Sequence, residues 1–292
     1  MTAKQPKSYA SAGAFRRALE ERLKQIAQAE QTDINRLRRQ VAFDRLLARL
    51  FQTNYAPWTL KGGYALELRL KAARSTVDID LTIQKAVFTS DTSEQTNSAI
   101  REMLQDSANQ QLGDWLEYLI GAPTMDLDGA PYGGARYPIE ARMDARTFAR
   151  FHLDAGVGDV VIEPLETAEC RPWLQFAGIG SPQIPMISRE QHFAEKLHAY
   201  TLPRQTQNTR VKDLVDMALL LQAQELSGAR TADAIRLTFD RRNTHAVPVE
   251  LTPPPQDWQK QFAALAQECR MSPDMNEAFD VIQAFLRSLD SR

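Results

Sequence analysis

Two aspartates separated by one residue, Asp78 and Asp80, are the strongest chemical signal in the sequence. They alternate with Val77, Ile79 and Leu81, and this alternation predicts a strand with one buried face. On such a strand the two carboxylates lie on the same face, with Cα atoms about 7 Å apart. Carboxylates this close repel each other unless a cation lies between them. Oxygen ligands of this kind suit Mg²⁺, which takes further ligands from water and nucleotide phosphates.

Two glycines precede the aspartates by the length of a short helix. Gly62 and Gly63 open that predicted helix, and backbone N–H groups at a helix N-terminus can bind phosphates. Arg74, Ser75 and Thr76 then lead into the strand. Each motif alone is weak, because most Asp-x-Asp pairs are solvated strand ends and most Gly-Gly pairs are turns. Their combination predicts a phosphate and metal site.

A third carboxylate, Asp154, lies on a later predicted strand at 148–155, in which Phe151 and Leu153 face the opposite way. If this strand pairs with the strand of the first two aspartates, Asp154 becomes a third metal ligand. If it does not, Asp154 is an exposed carboxylate of a hairpin. The sequence alone leaves both alternatives open.

The elements that must position these residues include both helices and strands. Helices are expected at 11–30, from Asp33 to residue 51, and at 91–112 with Asp91 or Thr92 as the cap. Strands are expected at 115–120 and 138–143, with a loop at 129–137 between them. Three prolines make residues 171–186 an extended connection. We therefore expect an N-terminal domain at 1–183 and a helical C-terminal domain at 184–292.

The first helix of the C-terminal part carries a lysine on its apolar side. Ser188 begins this helix with a capping-box pattern. Lys196 falls between Phe193 and Tyr200 at helical spacing, so it either extends to solvent along the apolar surface or contacts an anion. His198 falls off the apolar stripe and is predicted to lie on the polar surface.

A second helix is predicted at 210–222, followed by two more at 256–270 and 275–290. Asp213 lies at the edge of its apolar stripe and can pair with Arg210 on the helix surface. Asp216 is predicted to lie on the polar side. A lone pair of this kind is usually structural.

Composition limits the function classes. The chain has 292 residues, of which 43% are hydrophobic and 25% are charged. Its net charge is −2, so the overall charge does not indicate a nucleic-acid-binding protein. Residues 11–50 carry nine basic against five acidic residues, net +4, while residues 85–130 carry two against eight, net −6. A basic side could follow a phosphate backbone, or both faces could simply be solvated.

Cysteine usage and hydropathy point to a cytoplasmic protein. The two cysteines, Cys170 and Cys269, are far apart and form neither a zinc motif nor a disulfide framework. The N-terminus shows no apolar signal-peptide region, and no apolar run approaches the roughly 18 residues of a membrane span. We expect no membrane association.

Taken together, four segments resemble the AbiEii/AbiGii-type nucleotidyltransferase toxins, whose relatives include the MenT-type mycobacterial toxins. The segments occur in the family's order over about 150 residues, which makes the resemblance far more specific than any single motif. They are Gly-Gly-Tyr-Ala-Leu at 62–66, Arg-Ser-Thr-Val-Asp-Ile-Asp-Leu at 74–81, Glu-Lys-Leu-His-Ala at 195–199 and Arg-Val-Lys-Asp-Leu-Val-Asp at 210–216.

The resemblance implies an α+β fold: a polymerase-β-like nucleotidyltransferase core, which is a mixed sheet with helices, followed by a helical C-terminal domain. Asp78 and Asp80 would hold Mg²⁺. Lys196 would contact the phosphates of the NTP, and Arg74 would join it in neutralising the triphosphate charge. Asp213 would be a catalytic or nucleotide-positioning acid, and Gly63 would match the phosphate-loop glycine. The wider superfamily has Gly-Ser where this chain has Gly-Gly-Tyr. The phosphate contact that this serine makes in the superfamily would therefore be made here by backbone N–H groups or by Ser75 and Thr76.

The resemblance also implies a toxin that works with a cognate antitoxin. Such a toxin transfers nucleotides from an NTP to an RNA acceptor. Some members of the family add them to the 3′ end of tRNA, which blocks aminoacylation and stops growth, so tRNA is the expected acceptor. Two alternatives share the metal site: transfer to a small-molecule hydroxyl, and transfer to protein, including self-modification at Ser75 or Thr76.

Overall fold

The chain forms two compact units that are interleaved in sequence. The structure, a computed structural model, describes residues 7–53, 56–70, 73–83, 92–127, 129–223 and 225–290. The first unit contains Met1–Leu60, Val77–Gly158 and Thr167–Pro185, and the second contains Lys61–Thr76, Asp159–Glu166 and Met186–Arg292. The second unit thus includes two segments, 61–76 and 159–166, that lie between segments of the first unit in the sequence. The expected domain boundary between residues 183 and 184 stays a prediction.

A mixed β-sheet forms the centre of the first unit. Its strands are β1 (Trp58–Lys61), β2 (Asp78–Ile83), β3 (Glu117–Ile120), β4 (Met125–Asp126), β5 (Gly134–Met143), β6 (Arg146–Val157), β7 (Glu166–Glu169) and β8 (Gln183–Met186). They follow the order β3-β5-β6-β2-β1-β8-β7, and β4 also pairs with β5. β2 and β6 run parallel, whereas β5 and β6 are antiparallel. The predicted α+β class with a mixed sheet is confirmed.

Three helices of the first unit begin at side-chain caps. They are α1 (Ala12–Glu30), α2 (Ile34–Leu50) and α4 (Ser93–Ala108). The helix between α2 and α4 in the chain, α3 (Gly62–Arg69), belongs to the second unit. Ser11, Asp33 and Thr92 each accept a hydrogen bond from a backbone N–H of the first turn, which satisfies an otherwise unpaired donor. Thr92 is therefore the cap of α4; Asp91, the other candidate, lies outside the described residues.

Two arginines of α2 are buried inside the first unit. Arg45 donates to the Asp114 carboxylate at 2.7 Å, and Arg49 donates to both its oxygens at 2.8 and 2.7 Å. Asp114 is fully buried, so this pairing satisfies a charge that would otherwise be costly to bury. These two arginines therefore add nothing to an exposed basic face.

The second unit is helical around one apolar core. Its helices are α3, α5 (Arg189–Thr201), α6 (Val211–Ala223), α7 (Gly228–Arg242), α8 (Gln259–Glu268) and α9 (Met275–Asp290). Phe193 and Leu197 of α5 pack in this core with Leu214 of α6 and Phe262 of α8. Ser188 caps α5 through a hydrogen bond from the Gln191 N–H, as the capping-box pattern predicts.

The structure differs from the sequence-based expectations at three places. Val77 is 52% exposed, because β2 begins only at Asp78, whereas Ile79 and Leu81 are buried as expected. β5 begins at Gly134 and so includes residues that were predicted to be a loop. Helix α7 was not predicted at all. Among the described residues, no helix combines the length and apolar character that crossing a membrane requires.

Candidate active site

Asp78 and Asp80 lie on the same face of β2, as their spacing predicts. Ile79, between them, is buried on the opposite face, while both aspartates are partly exposed. The parallel pairing with β6 places Asp78 opposite His152 and Asp80 opposite Asp154. The condition that the sequence left open is therefore met: Asp154 lies beside the first two carboxylates, on the neighbouring strand.

An arginine that the sequence analysis missed is bound to these carboxylates. Arg136 of β5 lies opposite Asp154 in the antiparallel register and donates to both of its oxygens at 2.8 Å. The Arg136 guanidinium also lies 3.6 Å from the Asp78 carboxylate. The hydrogen bonds to Asp154 are the main cause that raises the pKa of Arg136. It was missed because residues 129–137 were predicted to be a loop, although Ala135, Tyr137 and Ile139 alternate with it.

The oxygen atoms of the Asp78, Asp80 and Asp154 carboxylates are suitable ligands for a hard divalent cation. Aspartate oxygens are the ligands that Mg²⁺ prefers, and the Arg136 guanidinium shows that positive charge is accommodated beside Asp78 and Asp154. Within the described part of the chain, no group of three or more His, Cys, Asp or Glu side chains is arranged to hold a metal ion. Asp78 and Asp80 therefore remain the predicted ligands, with Asp154 engaged by Arg136.

In the second unit, Lys196 is held by two aspartates. Its ammonium lies 3.0 Å from the Asp213 carboxylate and 2.9 Å from that of Asp216. Arg74 donates two hydrogen bonds to Asp216, at 2.8 and 2.7 Å. We call these four residues the Lys196 cluster. It unites residues from three of the four segments that carry the family resemblance.

Charge balance explains how the Lys196 cluster stays ionised while buried. Burial alone would raise the pKa of Asp216, but Lys196 and Arg74 lower it to about 2. Burial alone would lower the pKa of Lys196, but Asp216 and Asp213 raise it above its usual value. The placement of Asp216 on the polar side of α6 was wrong, since this residue is fully buried. Arg210, the partner expected for Asp213, is 3.9 Å away.

A second buried charge cluster lies elsewhere in the second unit. Lys61 donates to Asp159 and, at 3.3 Å, to Glu195; Arg242 of α7 donates to Asp159 at 3.0 Å. Burial would raise the pKa of Asp159, but Lys61 and Arg242 lower it to about 2. We call these four residues the Lys61 cluster. It was missed because α7 was not predicted.

The two glycines at the start of α3 have separate structural roles. Gly62 has φ +67°, a backbone conformation that residues other than glycine rarely adopt. A Cβ on Gly63 would lie 2.8 Å from the Thr76 hydroxyl oxygen. The N-cap residue of α3, Lys61, makes no side-chain cap hydrogen bond. Binding of a phosphate by the backbone N–H groups of this first turn stays a prediction.

A scan against family models identifies the chain. The model of the nucleotidyl transferase AbiEii toxin, type IV toxin–antitoxin system, matches residues 45–285. The chain belongs to the AbiEii family. The match includes all the predicted site residues and both buried clusters. This AbiEii protein is therefore a nucleotidyltransferase from a family of type IV toxins.

Two solved structures resemble the AbiEii chain at low identity. JHP933 from Helicobacter pylori is 14% identical, with 87% of this chain and 91% of that chain covered and a TM-score of 0.45. A candidate nucleotidyltransferase from the same organism is 12% identical, with 87% and 93% covered and a TM-score of 0.44. No curated protein matches the chain.

One histidine of the AbiEii chain lies where the sequence analysis did not expect it. His198 was predicted to lie on the polar surface, but it is buried against the Phe239 ring of α7, with ring centroids 4.9 Å apart. Its Nε2 lies 2.8 Å from the Thr244 hydroxyl. Burial, with Arg242 nearby, lowers the pKa of His198 to about 3. The error has the same source as the missed Lys61 cluster, because α7 covers this side of α5.

Proposed function

We propose that this protein transfers nucleotides from an NTP to an RNA acceptor, the 3′ end of tRNA, in a Mg²⁺-dependent reaction that stops translation and growth. The observation that supports it most directly is the pair of carboxylates on β2, with Asp154 beside them, within a chain of the AbiEii family. A cytoplasmic toxin neutralised by a cognate antitoxin is part of this proposal.

The carboxylates of the first unit would hold the metal. Asp78 and Asp80 supply oxygens on one face of β2, and Asp154 joins them if Arg136 releases it. A bound Mg²⁺ would stabilise negative charge on the phosphoryl oxygens during transfer. In the reaction, the acceptor 3′-hydroxyl oxygen forms a bond to the α-phosphorus, the bond to the β-phosphate oxygen breaks, and pyrophosphate and a proton leave.

Residues of the second unit would bind the nucleotide. Backbone N–H groups at Gly62 and Gly63 offer donors to the phosphates, with Ser75 and Thr76 as nearby hydroxyl donors. Lys196 supplies a charge that its two aspartates keep protonated. Asp213, in contact with Lys196, would position that charge or the nucleotide.

Arg74 enters the proposal in a changed role. Two of its N–H groups are engaged by the buried carboxylate of Asp216, which fixes both side chains. Arg74 would therefore act by keeping Asp216, and through it Lys196, in place. Direct contact between Arg74 and the triphosphate stays a prediction.

The test is transfer of label. The protein is incubated with each α-labelled NTP, Mg²⁺ and total RNA, and the products are separated by size. We expect label in RNA of tRNA length, no label after chelation of divalent cations, and none with Asp80→Ala. The matched control is Asp233→Ala, an exposed aspartate of α7, which should transfer normally. Both variants should keep the thermal stability of the unsubstituted protein to within a few degrees.

Other outcomes separate the alternatives. Label in the protein band, seen as added mass on the intact chain, would indicate transfer to protein. Label only in the presence of small hydroxylated compounds would indicate a small-molecule acceptor. Full activity of a folded Asp80→Ala variant would contradict the assignment of the metal ligands.

A further inference from the structure

A cavity of about 690 Å³ opens on the first unit beside Asp78. We infer that this cavity, here called the acceptor cavity, holds the 3′-terminal nucleotide of a single-stranded RNA acceptor. The inference rests on the proposed function and names the part of the molecule that would receive its second substrate. A cavity of this size takes a small ligand, typically in the range of about 300–1,000 Å³, and not a folded protein domain.

The sheet register places the acceptor cavity next to the carboxylates. One row of same-face residues across three strands contains Asp80, Asp154 and Arg136. The next row, two residues along each strand, contains Asp78, His152 and Pro138, and all three line the cavity. Rows on a sheet are about 7 Å apart. A nucleotide in the cavity would therefore have its 3′ end close to the predicted metal ligands.

A third row of same-face residues also lines the cavity. It contains Arg150, Glu140 and Leu119 in register across β6, β5 and β3. Leu119 is 45% exposed, and Val77, at the start of β2, is also an exposed apolar side chain that lines the cavity. Exposed apolar residues are ordinary when scattered, but these two face one cavity. Together with the His152 ring they form a surface on which an unstacked base can lie.

Two guanidinium groups, of Arg39 and Arg150, line the cavity against the carboxylates of Asp78 and Glu140. Arg150 lines it with a side chain that is 73% exposed. Glu140 is already bonded to Arg142, Arg150 and Thr147, so its charge is compensated. The exposed Arg150 guanidinium is the group that would meet a phosphate oxygen of the acceptor.

Two variants test the acceptor cavity without unfolding the sheet. Arg150→Ala removes an exposed cation, and its control is Arg146→Ala, an exposed arginine of the same strand that does not line the cavity. Leu119→Ala removes an outward-facing side chain of β3, and its control is Met125→Ala, similarly exposed on β4. Melting temperatures of all four should stay near that of the parent protein.

Binding is measured with fluorescent tRNA in the Asp80→Ala background, and transfer kinetics in the active protein. We expect Arg150→Ala to weaken tRNA binding on the order of tenfold and to reduce the salt slope by about 1. Leu119→Ala should weaken binding several-fold. In both, the KM for tRNA should rise while the KM for NTP stays unchanged, and the controls should match the parent.

The outcomes are distinguishable. If the parent protein labels RNA but both cavity variants bind tRNA as tightly as their controls, the inference is wrong and the proposed function stands. A rise in the KM for NTP alone would make the cavity a nucleotide site and would overturn the inference in the same way. If the parent protein labels a protein or nothing at all, both the inference and the proposed function fail.

Discussion

Asp216 shows how a single carboxylate can be misjudged when only its own helix is considered. Its helical position pointed to the polar side of α6, yet its two oxygens accept from Lys196 and Arg74 in a fully buried position. Arg74 is 142 residues away in sequence, so no local pattern could reveal the contact. A buried charge paired in this way contributes little net stability, but removing one partner leaves the others uncompensated.

We therefore predict that Asp216→Asn lowers the free energy of unfolding by about 3–5 kcal/mol, because Lys196 and Arg74 would remain buried without their shared carboxylate. Urea denaturation measures the change. Asp280→Asn, at an exposed position of α9, is the control and should stay within about 0.5 kcal/mol of the parent. A loss below about 1 kcal/mol in Asp216→Asn would mean that water reaches the cluster.

Arg136 gives a prediction about metal affinity. Its guanidinium is paired with Asp154 and lies close to Asp78, so it would compete with a metal cation for these carboxylates. Removing a unit charge at about 4 Å is worth at least about 1 kcal/mol. We expect Arg136→Ala to bind Mn²⁺ about tenfold more tightly in titration calorimetry without nucleotide. Arg142→Ala, on the same strand but bonded to Glu140, should bind as the parent does. Weaker binding in Arg136→Ala would show instead that the arginine orients the carboxylates.

At the scale of elements, the alternation of apolar and polar residues predicted which side chains share a face of a strand, but not which strands are neighbours. The sequence placed Asp78 and Asp80 on one face of a strand because period-2 patterns depend only on local geometry. The pairing of β2 with β6 could not be read from it, because strand order is set by the packing of the whole unit. The same limit hid Arg136, whose importance comes from lying opposite Asp154 and not from any motif of its own.

Helix α7 was missed for a related reason. Its buried side includes Ile235 and Phe239, but Thr231, Ala234 and Thr238 on the same side are small or polar and weaken the apolar stripe. The Ser227 cap and the run of strong helix formers were the available signals. Because α7 carries Arg242, missing this helix also meant missing the Lys61 cluster and the burial of His198.

The start of α3 yields a stability prediction. Gly62 has φ +67°, where a Cβ costs about 1–2 kcal/mol, so Gly62→Ala should lower the free energy of unfolding by that amount. Gly180→Ala is the matched control, because a Cβ there meets no atom within 4 Å. Denaturation curves of the two variants give the comparison. Equal stability of both would mean that the α3 turn relaxes without cost.

At the scale of the molecule, buried neutral histidines link stability to pH. His198 has a pKa lowered to about 3, and burial also lowers that of His192 well below its usual range. Unfolded histidines titrate near about 6.5. As the pH falls below this value the unfolded chain binds protons that the folded chain does not. The free energy of unfolding therefore decreases on acidification, and the effect is absent above about pH 6.5.

We predict a loss of up to about 1.4 kcal/mol per pH unit for each such histidine below about pH 6.5. For His198 the loss continues until the pH approaches about 3. Urea denaturation at about pH 7 and about pH 5 measures it. His198→Gln should show a smaller difference between the two conditions than the parent protein. An unchanged difference would mean that His198 takes up a proton in the folded state.

The interleaving of the two units has a consequence for how the chain is made. Ribosomes add about 5–20 residues per second. Because Asp216 follows Arg74 by 142 residues, it is synthesised roughly 7–28 s later. Lys61 waits in the same way for Glu195, which follows 134 residues later. During translation, water or a chaperone surrounds these cations in place of their native partners. The buried charge network of the toxin can thus close only late in synthesis, when most of the first unit has already left the ribosome.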